Sequence, residues 1–159
     1  MLRLSNILCP LDFDQGSLRA LSVAADIALE HNATLYLLHV IHLHIAPEPA
    51  LSFAQAEKTA QSHLEQIGHQ KLKSGTRFEL MVISGDAAGE ILQMATRLNI
   101  DLIVMATHGR KGLRRLVLGS VAERVVREAP CLVLTIKPSG ARAGASRTQP
   151  RTKRRKKPV

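Results

Sequence analysis

The chain has 159 residues, the size of one ordinary domain, and is expected to bury a single core without disulfide or metal staples and to hold no second domain. With no Trp, one Tyr and three Phe it lacks the material for an aromatic base-stacking platform and fits an aliphatic α/β core. The formal charge of +9 is unevenly placed, since residues 1–138 hold 14 Lys/Arg against 13 Asp/Glu while residues 139–159 hold eight Lys/Arg and no acid.

Asn6 to Leu11 (NILCPL) reads as a short, wholly apolar strand of the kind covered on both faces, closed by the acidic turn Asp12-Phe13-Asp14-Gln15-Gly16. Ser17 is the expected N-cap of a first helix carrying Leu18, Leu21, Ala25, Ala28 and Leu29 on one face, with His31-Asn32 as its stop. Thr34 to Ile41 is a second buried-type strand. Beyond Pro47 and Pro49 a long helix is expected over about Leu51 to Leu72, with a polar outer face. Phe78 to Ser84 follows as strand three, closed by Gly85-Asp86, then Ala87 to Leu98 as helix three and Asp101 to Thr107 as strand four. Ser120 to Glu128 is helix four, stopped by Pro130, and Cys131 to Ile136 is strand five.

This alternation, with connections too long for hairpins, implies an α/β fold: a doubly wound five-stranded parallel sheet with helices on both faces. In that fold ligands bind beyond the carboxyl ends of the strands, where strand order reverses. Strands one and four flank that point, so Asp12, Val40 and the segment from Ala106 to Ser120 are expected on one edge. Cys9 and Cys131 lie in strand-like runs and behave as small hydrophobes. No secretory apolar region precedes Asp12, and no stretch reaches the roughly 18 apolar residues of a spanning helix, so a cytoplasmic location is expected. Residues 139–159 lack large apolar side chains except Val159 and are expected to be a disordered basic tail.

The stretch from residue 102 to 120, LIVMATHGRKGLRRLVLGS, carries the most chemistry. Gly109, Gly112 and Gly119 remove side-chain bulk, Arg110, Lys111, Arg114 and Arg115 add positive charge, and the start of helix four supplies unpaired N–H groups and the positive end of a dipole. These are the requirements of a phosphate site. The stretch is not a Walker loop, because G-x4-G-K-S/T is missing, and no G-x-G-x-x-G follows strand one.

The chain resembles the universal stress protein family. The resemblance is carried by I-L-C-P-L-D-F at 7–13, L-L-H-V-I at 37–41, S-G-D-A at 84–87, D-L-I-V-M-A-T-H-G-R at 101–110, L-G-S-V-A-E-R-V at 118–125 and A-P-C-L-V-L at 129–134. It implies a Rossmann-like fold of the adenine nucleotide alpha hydrolase type and, in the ATP-binding branch, the motif G-x2-G-x9-G-S/T. Gly109 and Gly119-Ser120 match that motif, and Ala106 replaces its first glycine. By the same resemblance Asp12 would bond the ribose of ATP or another adenine nucleotide, and Val40 would present its backbone to adenine. Gly109, Gly119, Ser120 and the Val121 amide would hold phosphates, with Mg2+ or Mn2+ on the phosphate oxygens. Pro10, Leu11, Met105, Ala106, His108 and Arg110 complete the implied site, and a homodimer through strand 131–136 is implied as well.

Each of these residues has a plainer reading. Ser120 and Glu123 form the pattern of a capping box, S-x-x-E, sufficient reason for a serine there. Asp12 and Asp14 suit turn caps. His39, His42 and His44 invite a metal, but their spacing across a strand end does not put three imidazoles on one face, and His39 fits a packed strand position. His108 either contacts phosphate or orients the turn. The basic tail attracts polyanions without sequence preference or simply aids solubility. The sequence offers no triad and no base placed beside the loop, so slow hydrolysis or autophosphorylation at Ser120 is the most catalysis to expect. The alternatives are a nucleotide-free interaction protein and a small enzyme acting on phosphate esters.

Overall fold

A computed structural model of the chain describes residues 3–42, 51–107 and 118–137. The tail expected over 139–159, His44, Pro47 and Pro49, and the loop residues His108, Gly109, Arg110, Lys111, Gly112, Arg114 and Arg115 lie outside the described residues. The elements are β1 (Asn6–Pro10), α1 (Gln15–His31), β2 (Thr34–Ile41), α2 (Leu51–Lys71), β3 (Arg77–Ser84), α3 (Ala87–Arg97), β4 (Leu102–Ala106), α4 (Ser120–Glu128) and β5 (Leu132–Ile136).

All strand pairs are parallel and the order is β3-β2-β1-β4-β5. The chain therefore winds outward from β1 to β3, crosses back to β4 on the other side of β1, and winds outward again. Continuous apolarity in the central strands follows from cover on both faces. In β1, Ile7 and Cys9 face a core shared with α1 and α2, whereas Leu8 faces a core shared with α3 and α4. In β4, Leu102 and Val104 take the first side and Ile103 and Met105 the second. Ala20, Ala24 and Ala28 are buried along α1, and their small side chains let that helix lie close over β1 and β4.

The helix ends are set by local chemistry. Asp14, not Ser17, caps α1: its carboxylate accepts the Ser17 N–H at 2.7 Å, and Ser17 is buried inside the first turn. The helix starts three residues earlier than expected because the Asp14 carboxylate already caps the Ser17 amide, which places Ser17 inside the first turn. Asn32 ends α1 in the left-handed conformation, and Asn99, also at positive φ, follows α3, which lets the chain turn directly into β2 and β4.

At the amino edge the Asp101 carboxylate accepts the N–H groups of Ser5 at 2.7 Å and Asn6 at 2.9 Å. The Asn6 side-chain amide donates to the carbonyls of Leu98 and Asn99. These bonds tie the start of β1 to the start of β4 and fix the register in which Ile7 faces Leu102. Cys9 and Cys131 are free, and burial raises the pKa of both thiols. Among the described residues no helix is long and apolar enough to cross a membrane.

Candidate functional site

The strand order puts the switch point between the carboxyl ends of β1 and β4, where a doubly wound sheet takes its ligand. On its β1 side, the Leu11 N–H donates to the Leu38 carbonyl at 2.8 Å, and the Leu11 carbonyl bonds His39 Nδ1 at 2.7 Å. Asp12 comes next, and its carboxylate accepts the Asp14 N–H at 3.2 Å. Asp12 thus closes a tight turn at the edge of the sheet, the plainer role read from the sequence, without leaving the edge.

Between the two aspartates Phe13 has a φ of 66°, a left-handed conformation that is rare for a bulky side chain. Its ring stacks on His39 at 4.3 Å and 25°, and meets His63 of α2 edge-on at 5.3 Å. The strain, of order 1–2 kcal/mol, is offset by two aromatic contacts of roughly 0.5–1.5 kcal/mol each and by the Asp14 cap at about 1 kcal/mol. Partial burial, followed by the neighbouring Asp12 carboxylate, raises the pKa of Asp14, and its bonds with Ser17 oppose the rise. His39 is therefore a packed strand histidine held to a backbone carbonyl. Among the described residues no group of three His, Cys, Asp or Glu is arranged to hold a metal.

Val40 lies one strand further along the same edge. The Leu38 carbonyl points towards β1 and the Ile41 carbonyl towards β3, where it accepts the Gly85 N–H at 3.0 Å. Alternation along the strand then turns the N–H and C=O of Val40 towards the lane beyond the end of β1.

On the β4 side, Ala106 is the last strand residue and pairs with Ile136. The non-glycine residues at positive φ among those described are Phe13, Asn32 and Asn99, so Ala106 carries none of the strain that a left-handed position would impose. Thr107 is buried; its N–H donates to the Ile136 carbonyl at 3.0 Å, and its own carbonyl accepts the Gly119 N–H at 2.8 Å. That last bond brings both ends of the loop segment 108–118 together. Gly119 is the N-cap of α4 and offers no side chain to the first-turn amides, so the helix starts at the carboxyl end of β4 without a side-chain cap.

The expected capping box does not form. Ser120 is the first residue inside α4 and is exposed, and Glu123 pairs with Arg127 at 3.6 Å. The glycine before the serine takes the cap position because its extended backbone continues the turn from Thr107.

Of the other expected site residues, Pro10 is half-buried at the end of β1, Leu11 is buried on the α1 and α2 side, and Met105 is buried on the α3 and α4 side. The side chains of Leu11 and Met105 thus belong to the two cores. Val121 is half-buried against the α3 and α4 core. His108, Gly109 and Arg110 lie outside the described residues.

Three features of this edge escape the sequence reading: the Phe13–His39–His63 cluster, the Thr107 closure, and Asp86. Asp86 caps α3 through the Gly89 N–H and pairs with Arg124 of α4 at 2.6 Å. The Gly89 bond first, then Arg124, holds its carboxyl below the ordinary range. Asp86 had a local signal, a carboxylate directly before a helix; the other two depend on contacts between distant segments. At the opposite, amino edge a depression of about 390 Å3 is lined by Arg3, Glu30, Asn32 and Arg77 among others. There the Arg77 guanidinium donates to the Asn32 carbonyl at the negative end of α1, so that cation completes a helix end.

A helix start, a carboxylate turn and an open backbone lane meet on one switch-point edge of a doubly wound α/β domain. Comparison with known proteins identifies its family. The model of the universal stress protein family matches residues 4–137. The universal stress protein MJ0531 of Methanocaldococcus jannaschii is 34% identical over 139 residues, covering 82% of this chain and 81% of its own. The solved structure of the universal stress protein UspA from Lactobacillus plantarum superposes with a TM-score of 0.70 at 27% identity, covering 86% of this chain and 99% of that one. A universal stress protein from Archaeoglobus fulgidus in complex with dAMP shares the fold at 21% identity and a TM-score of 0.62, over 86% of this chain and all of its own. One in complex with cAMP shares it at 20% identity and a TM-score of 0.64, over 86% of this chain and 98% of its own. The chain belongs to the universal stress protein family.

Because Ser120 makes no cap bond, Ser120→Ala is expected to change unfolding free energy by less than about 0.5 kcal/mol, the range of an unremarkable surface site. A loss near 1 kcal/mol in urea denaturation, typical of a missing N-cap, would show that the serine caps the helix in solution.

Proposed function

We propose that the protein binds an adenine nucleotide, ATP in the first instance, as a regulatory or structural ligand in a cytoplasmic stress response. The observation that carries this reading is the convergence of the Asp12 turn, the Val40 backbone lane and the Gly119-led start of α4 on one edge. Solved relatives in complex with dAMP and cAMP support the ligand class. In this reading Asp12 accepts from the ribose hydroxyls and Val40 bonds the adenine edge. The amides of Gly119, Ser120 and Val121, with Gly109, His108 and Arg110 of the loop, hold the phosphates, and Mg2+ or Mn2+ sits on the phosphate oxygens. Ala106 costs this arrangement little, because its backbone is extended. The role is binding rather than turnover. The eight cations of residues 139–159 add salt-sensitive attraction to polyanions.

We also propose a homodimer through β5. It is an edge strand whose Leu132 and Leu134 are 52% and 36% exposed, an apolar edge that pairing with a second copy would cover.

Titration calorimetry with ATP and Mg2+ is expected to show one nucleotide per chain, and Asp12→Ala to weaken binding by at least about 10-fold, the effect of losing one charge-assisted hydrogen bond. Heat indistinguishable from dilution at millimolar ATP would refute the nucleotide reading. For the dimer, sedimentation is expected to show twice the chain mass for the wild type and a monomer for Leu134→Glu; a wild-type monomer at about 100 μM, where specific interfaces are occupied, would refute it.

A further inference from the structure

The end of β1 departs from a regular ladder at one bond. In a parallel pair, the N–H of Leu11 donates to Leu38 and the next bond returns from the Val40 N–H to the Leu11 carbonyl. The first of these bonds is present at 2.8 Å. At the second position the Leu11 carbonyl is held by His39 Nδ1 at 2.7 Å, and the paired register stops at Pro10 and Leu38. A carbonyl only accepts, so Nδ1 carries the proton, which both the Nδ1–H tautomer and the imidazolium satisfy. The ring is fixed in this position by its stack on Phe13, which His63 braces from α2.

We propose that His39 is a positioning residue that stops the β1–β2 ladder one bond short and thereby keeps the backbone N–H and C=O of Val40 available to the adenine ring. The inference rests on the adenine-nucleotide reading above. It adds to that reading a source of base specificity. Adenine presents a ring-nitrogen acceptor beside an amino donor, the complement of one backbone N–H and one C=O. Guanine presents the reverse, a carbonyl acceptor beside a ring N–H. A Val40 amide engaged with Leu11 would leave only half of the pattern on offer.

The test combines amide hydrogen exchange of the ligand-free chain with nucleotide competition. In the wild type the Val40 amide is expected to exchange at least about 10-fold faster than that of Leu38, which the ladder protects. In His39→Leu the freed Leu11 carbonyl takes the Val40 amide, whose exchange slows. The preference for ATP over GTP then falls by at least about 10-fold, while inorganic triphosphate binds as before. His39→Asn, whose side-chain N–H reaches the same carbonyl, is expected to keep both properties. A Val40 amide as protected as Leu38 in the wild type, or an unchanged ATP to GTP ratio in His39→Leu, overturns the proposal. The wild-type exchange comparison needs no variant to fold and no ligand. It therefore decides whether the Val40 amide stands outside the ladder, and the slowing in ligand-free His39→Leu decides whether His39 keeps it there, both separately from whether the chain takes up a nucleotide at all.

Discussion

The structure depends on the pairing of β1 with β4, two strands remote in sequence that run side by side and send their chains to opposite faces. Their register is short, Ile7 with Leu102 and Leu8 with Ile103, and it is anchored by the Asp101 carboxylate on the Ser5 and Asn6 amides. Two hydrogen bonds to one charged group, each worth roughly 1.5–3 kcal/mol when well formed, are a strong constraint on a strand of five residues. They act at the amino edge and determine what happens at the carboxyl edge. With the starts aligned, β1 runs out into the Asp12 turn beside the point where β4 ends at Ala106, and the crevice between them follows from topology.

The two lips of that crevice are built differently. On the β4 side, backbone bonds do the closing: Thr107 is fastened to Ile136 below and to Gly119 across the loop, so the start of α4 is brought back over the strand that precedes it. On the β1 side, side chains do it. His39 takes the Leu11 carbonyl, Phe13 is held in a left-handed conformation between His39 and His63, and Asp14 caps α1. The strained turn is the more informative, because a bulky residue persists at positive φ only where its surroundings determine it. A backbone-built lip and a side-chain-built lip thus stand on either side of the switch point, at the ends of β4 and β1.

Much of this was legible in the sequence, for identifiable reasons. Continuous aliphatic runs announced β1, β2 and β4 because cover on both faces demands them, and Asn32 announced the end of α1 because few residues other than glycine tolerate its conformation. The alternation of elements gave the strand order, and with it the edge shared by Asp12, Val40 and Ala106. Caps were harder to read. Asp14 displaced Ser17, and Gly119 displaced Ser120, because in each case a neighbour three or one positions earlier already met the geometry. Least legible were the contacts that join separate segments. Nothing local in D-F-D states that Phe13 is left-handed, nor does L-H-V state that its histidine ends a ladder by reaching across to Leu11.

The account stands on the claim that the carboxyl edge between β1 and β4 is where the ligand binds. Chemical-shift mapping of the 15N-labelled chain during titration with ATP and Mg2+ tests that claim most directly. The account predicts that the largest amide shifts fall on Asp12, Val40, Ala106 and Gly119 to Val121. Shifts centred on Arg3, Asn32 and Arg77 at the amino edge, or none at saturating nucleotide, would contradict it.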